Sequence, residues 1–192
     1  MGRPPRHDVD RLLDAAAELV TTGGPGAVTM TAVARAAGAP SGSVYHRFPG
    51  RPALLAALWL RTVGRFQRGF LAALDTDPPA QAAPAAARHV IAWSRAHPHE
   101  ARVLLYGPAD FDHPHWPGEA RAQLAAANGR VTAALHALAA RLGRSSPYDL
   151  ERLTLAAVDI PYATVRRHQS AGTPLPAYAE DLVTSCAIAV AG

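Results

Sequence analysis

Apolar residues in this chain recur every three or four positions from Val9 to Val190, and no segment alternates apolar and polar residues over a strand's length. That spacing restricts the chain to an all-α fold, with Gly and Pro clusters as its breaks. Val9, Leu12, Leu13, Ala16, Leu19 and Val20 lie at helical spacing behind Asp8, the expected N-cap, and Gly23-Gly24-Pro25-Gly26 stops the segment. Thr29 is expected to cap a short second helix through Val33, Ala34 and Ala37, ended by Gly38. Ser41 is expected to open a third, ended by Pro49-Gly50. A long helix follows from Arg51 to about Leu74, with Pro52 tolerated in its first turn. Further helices are expected over residues 80–96, 98–105, 118–142, 146–171 and 177–190. Pro161 should kink the fourth of these, because it removes a backbone donor and crowds the preceding turn. Residues 107–117, rich in Pro, Asp, His and aromatics, read as the one unusual loop.

Composition narrows the class. Hydrophobic residues make up 49% of the 192 positions and charged residues 18%, which suits a packed core and excludes a disordered chain. The net charge of +4 permits contact with nucleic acid without demanding it. All 19 Lys and Arg positions are Arg, so every cationic contact of that kind uses a planar guanidinium suited to bidentate recognition of phosphate or guanine. A single cysteine, Cys186, excludes an internal disulfide, is expected to be buried, and fits a reducing compartment. The first residues lack the apolar stretch of a signal peptide, and no apolar run is long enough to span a bilayer. The expected location is the cytoplasm.

Three short helices, with Gly38-Ala39-Pro40 between the second and third, are the layout of a helix-turn-helix. The third begins Ser41-Gly42-Ser43, small enough to enter a major groove. Tyr45, His46 and Arg47 follow as groups suited to phosphates, and Arg51 is expected to reach the same strand. Arg3 and Arg6 lie on a Pro-containing arm that suits an adjacent groove. Thr29, Ser41, Gly42, Ser43, Tyr45, His46, Arg47 and Arg51 form the expected DNA-binding set.

Residues 29–55 resemble the signature of the Tet repressor family. The second helix ends in Ala37-Gly38, the third carries Tyr45-His46-Arg47-Phe48, and a basic residue and Leu54-Leu55 follow. Arg51 stands where that family usually carries Lys, and Gly42 lowers helix propensity by roughly 1 kcal/mol relative to Ala. The resemblance covers about the first quarter of the chain. It implies a transcriptional regulator, most simply a repressor, with a DNA-binding domain over residues 1–51 and a helical ligand-binding and dimerisation domain over 52–192. The implied partners are a pseudo-palindromic double-stranded DNA operator, a small, largely apolar effector and a second copy of the chain, with no membrane, no cofactor and no metal. The last two long helices are apolar around much of their circumference, through Leu150, Leu153, Val158 and Ile160, then Leu182, Val183, Ile188 and Val190. A helix apolar on two sides needs partners on two sides, which supports dimerisation there.

Trp59, Val63, Phe66 and Phe70 form a stripe at positions i, i+4, i+7 and i+11 of the long helix. The resemblance makes them a pocket wall, joined by Trp93, Tyr106 and Tyr162; ordinary core packing is the plain alternative. His97, His99, His113 and His115 make two His-x-His pairs, whose spacing does not set two ligands on one helix face. Nucleophile, phosphate-loop and metalloprotease motifs are absent, so an all-helical enzyme is the weaker rival. The other rival is a dimeric DNA-binding protein with no ligand.

Overall fold

The computed structural model describes the backbone of residues 6–192 and the side chains from Val9 onward. The expected arm carrying the Arg3 and Arg6 side chains lies outside the described residues. Ten α-helices are described: α1 (Arg6–Gly23), α2 (Met30–Ala36), α3 (Ser41–Arg47), α4 (Arg51–Leu74), α5 (Ala82–Ala96), α6 (Pro98–Leu104), α7 (Gly118–Arg141), α8 (Pro147–Thr154), α9 (Ile160–Ser170) and α10 (Ala179–Ala191). There is no strand among the described residues. The chain forms two compact units, one of residues up to Val63 with His99–Ala125, the other of Gly64–Pro98 with Ala126–Gly192.

In the first unit α1, α2 and α3 pack around Leu12, Ala16, Val20, Val33 and Val44, all essentially inaccessible to solvent. Each fully buried Leu or Val of this kind contributes about 1.5–3 kcal/mol relative to exposure. Helix α1 is described from Arg6, ahead of Asp8, so Asp8 lies within the helix and is not its cap. Residues 107–117 are more ordered than their breakers suggest. Two 3₁₀ turns, Pro108–Phe111 and His113–His115, are separated by Asp112 in the left-handed region. Phe111 is fully buried, and Trp116 donates its indole N–H to the Phe111 carbonyl at 2.6 Å.

In the second unit α5 is the central element, packed most extensively against α10. Ala82, Ala83, Ala86 and Ala87 are buried along it, and their short side chains let the helix axes approach closely. Helix α5 begins two residues later than expected, because Pro79–Gln81 form a 3₁₀ turn. The long helix predicted over 146–171 is interrupted by a π-helical turn, Leu155–Asp159. Pro161 cannot donate to the carbonyl four residues back, and the preceding turn widens so that the Ile160 N–H reaches Leu155 O. The carbonyl end of α10 is held by arginines: Arg152 Nε donates to Val190 O at 2.8 Å, and Arg144 donates to Ala191 O and Gly192 O. Positive charge at a helix C-terminus is favourable, since the last carbonyls lack partners within the helix.

Candidate nucleic-acid interface

The second helix of the head is set by its ends. Thr29 Oγ1 accepts from the Ala32 N–H at 3.1 Å, the cap the sequence predicts. Gly38, at φ 61°, turns the chain out of α2, with Ala39 N–H to Ala34 O at 2.9 Å and Gly38 N–H to Arg35 O at 3.2 Å. This pair of bonds closes the helix in a Schellman motif, for which glycine is the natural residue. Helix α3 follows from Pro40, so Ser41 is its first helical residue and no side chain caps it. Val44 and Phe48 are buried and anchor α3 in the head.

The opposite face of α3 is open to solvent. Ser41, Gly42, Tyr45 and His46 are exposed on it, Tyr45 to 56%. A Cβ added at Gly42 would meet nothing within 4 Å, so the fold itself does not require glycine there. Arg35, in the last turn of α2, is also exposed. Two expected contact residues are placed differently. The Ser43 hydroxyl is buried without a hydrogen-bond partner, and Arg47 Nη1 donates to Ser43 O at 2.9 Å. Arg51 turns inward: Nε donates to Val28 O at 2.8 Å and Nη2 to Pro25 O at 2.9 Å, tying the first turn of α4 to the α1–α2 connection.

Residues 12–58 match the family of bacterial regulatory proteins, tetR family. The head is a TetR-family DNA-binding domain. No curated protein is similar enough in sequence to match the chain. Among solved structures, a TetR-family regulator from Rhodococcus RHA1 is 20% identical with a TM-score of 0.76, covering 98% of each chain. A TetR-family transcription regulator from Marinobacter aquaeolei VT8 is 17% identical with a TM-score of 0.74, over 95% of this chain and 94% of that one. The transcriptional regulator FadR of Bacillus subtilis, in complex with stearoyl-CoA, is 14% identical with a TM-score of 0.69, over 94% of this chain and 98% of that one. The TetR-like fold therefore extends well beyond the head, over 94% or more of the chain in each of these three comparisons.

The residues expected to face a ligand fall into two groups. In the first unit Trp59 and Val63 are buried, the Trp59 ring lies 5.0 Å from Phe111, and Tyr106 meets Phe111 edge-on at 6.1 Å. The Trp59 indole N–H is buried with no acceptor. In the second unit Phe66 stacks on Phe70 at 5.5 Å and meets Trp93 edge-on at 5.3 Å. Tyr162, by contrast, is 38% exposed on α9.

Sequence reasoning missed a polar member of the α4–α5 cluster, His89, and a buried polar residue of α4, Gln67. His89 packs beside Phe66 at 5.4 Å, and its Nε2 donates to Phe66 O at 3.1 Å. Burial lowers the His89 pKa from its ordinary 6.5, and the bond to the Phe66 carbonyl opposes that shift only in part. Gln67, on the same helix, is buried, and its Oε1 has no hydrogen-bond donor. A polar atom buried without a partner is costly and marks a place where another group can bond. The apolar spacing of α4 hid Gln67 among buried neighbours.

A pocket of about 260 Å³ opens in the second unit between the end of α4 and α7, lined by Leu71, Leu74, Ala134, Ala137, Leu138 and Arg141. None of the expected ligand-facing residues lines it. Among the described residues no three His, Cys, Asp or Glu side chains converge as a metal site. His97 packs at a tilt against Trp93, His99 bonds Thr21, His113 meets Trp116 edge-on and His115 bonds Asp112. Cys186, expected to be buried, is half-buried. No described helix is long and apolar enough to cross a membrane.

Proposed function

We propose that this protein is a homodimeric transcriptional repressor that binds a pseudo-palindromic DNA site through α3 and releases it on binding a small, largely apolar ligand. The observation that carries the reading is the exposed face of α3, presented from a head whose residues 12–58 match the TetR family. Ser41 and Gly42 meet base edges in the major groove, while Tyr45, His46 and Arg47 engage phosphates. Thr29 and Arg51 act from behind, by capping α2 and bracing the loop before it. Ser43 reads bases only after its hydroxyl turns outward. Functionally, residues 1–51 supply DNA binding, and 52–192 supply ligand binding and dimerisation.

Two apolar surfaces support the remaining roles. Leu155, Tyr162, Leu182 and Ile188 are exposed on the α8–α9 segment and α10, large side chains that a second copy would cover. Tyr162 belongs with this face better than with a pocket. The ligand site is the α4–α5 cluster of Phe66, Phe70 and Trp93, with His89 as its polar contact. The FadR structure holds a molecule with a long apolar chain, and only that broad apolar class is carried over.

Selection of bound sequences from a random DNA pool tests the reading. A two-fold symmetric motif is expected; an unenriched pool at moderate salt overturns the proposal. For the ligand, Phe66→Trp fills the cluster, and a compound that releases the selected DNA from wild type should fail on the variant. If release is unchanged, the cluster is core.

A further inference from the structure

Helix α3 carries the exposed face of the head, yet little within the helix places its first turn. It has seven residues, no side chain caps its start, and Gly42 in that turn weakens it. Its buried anchors, Val44 and Phe48, lie at its middle and just past its end. The direction in which Ser41 and Gly42 are presented is therefore set by the turn before them, residues 38–40.

That turn pivots on one peptide unit, the one joining Ala37 to Gly38. Its N–H donates to Arg35 O at 3.2 Å. Its oxygen, Ala37 O, belongs to the C-cap residue of α2, where the chain reverses at Gly38 and carbonyls run out of helical partners. Arg11 supplies the missing donor. Exposed on α1, 26 positions earlier in the chain, it donates from Nη2 to Ala37 O at 2.8 Å. Its positive charge also suits the C-terminus of α2. Because a peptide unit is planar, holding both its oxygen and its N–H fixes ψ of Ala37 and φ of Gly38. The constraint matters most at a glycine, whose own φ is the least restricted. Ala39 N–H then returns to Ala34 O at 2.9 Å, and Pro40 O receives the Ser43 N–H at 2.9 Å, so the plane at Gly38 aims the start of α3.

The geometry points to Arg11 as a positioning residue for DNA recognition: its guanidinium locks the Ala37–Gly38 peptide plane and so orients the first turn of α3 toward the major groove. The inference rests on the reading of α3 as the helix that meets DNA. Without the bond the turn samples other orientations, and the apparent dissociation constant rises as the correctly oriented fraction falls. Binding to random DNA draws on phosphate contacts and suffers less.

The test measures Arg11→Met and Arg11→Lys beside the wild-type protein, on DNA selected by the wild type and on random DNA, across a range of salt at which all three are folded. Arg11→Met is expected to weaken the selected site by about fivefold to tenfold and random DNA much less, with the slope of log affinity against log salt unchanged. Arg11→Lys keeps the charge and a donor, and should recover part of the loss. Equal losses on both DNAs, or none on either, overturn the proposal. A slope shallower by about 0.9 for each lost contact overturns it too, by making Arg11 a phosphate ligand. In the free protein the Gly38 and Ala39 amides should exchange faster in Arg11→Met, while amides around Val20 and Val33 keep their wild-type rates. Unchanged exchange at Gly38, or uniform acceleration across the head, contradicts the lock. If Arg11→Met does not fold, Arg11→Gln takes its place with the same expected results. Exchange needs no DNA, so faster exchange at Gly38 in a protein that binds none would refute the reading of the head and leave the lock standing.

Discussion

Gly42 sits on the exposed face of α3 with nothing within 4 Å of where a Cβ would stand. Its conformational freedom weakens the helix, so Gly42→Ala should stabilise the head by up to about 1 kcal/mol in urea unfolding. If close approach to DNA is the reason for the glycine, the same variant should bind the selected site more weakly. A variant that is both more stable and equally tight in binding would sink that role. Arg51 predicts the opposite coupling. Arg51→Ala removes two bonds to buried or half-buried loop carbonyls, at about 1.5–3 kcal/mol for charge-assisted bonds of this kind, so stability and DNA affinity should fall together. Loss of affinity at unchanged stability would return Arg51 to a direct phosphate contact. The Thr29 cap was legible because it depends on residues three apart. The inward turn of Arg51 and the buried Ser43 hydroxyl were not, since each depends on where a separate loop or helix lies in space.

Between α4 and α5, Gly69 makes room for a ring. A Cβ there would stand 2.3 Å from His89 Cε1, far inside contact distance. Gly69→Ala should therefore destabilise the protein by about 1–3 kcal/mol through overpacking, despite alanine's better helix propensity. In a His89→Ala background the same change should become stabilising. The imidazole also carries a pH dependence with a defined sign. Its folded pKa lies below the ordinary 6.5, so the unfolded chain takes up the proton first as pH falls. Stability from this group is full above about pH 6.5 and lost between there and the lowered folded value. Wild type should lose more stability than His89→Gln over that window, measured by urea unfolding; parallel profiles would contradict the assignment. At this scale the sequence showed the helices and their breaks well. It located the disturbance at Pro161 without its form, because relief by a π turn depends on what α5 and α10 permit. It read residues 107–117 as a loop without showing that Phe111 and Trp116 bury, since isolated aromatics among breakers carry no period.

For the whole molecule, an all-α chain with a helix-turn-helix at its start was legible because periodicity and the order of residues 29–55 are local properties. The ligand-facing set was legible only as a stripe on one helix: Trp59 and Phe66 share that stripe yet pack into different clusters. The expected dimer is tested at Ile188, which is 55% exposed, whereas Ile160 is half-buried. Ile188→Asp should leave the protomer folded and place an unpaired charge in the interface, at a cost of about 3–5 kcal/mol. Sedimentation at micromolar concentration should show a dimer for wild type and a monomer for the variant; a wild-type monomer would contradict the assembly. The most direct test of the central claim is a hydroxyl-radical footprint of the wild-type protein on its selected DNA. Two heads presenting α3 from a symmetric pair should protect two stretches whose centres lie about 10–10.5 base pairs apart, or a whole multiple of that. A single protected stretch, or protection without a two-fold pattern, would contradict the account.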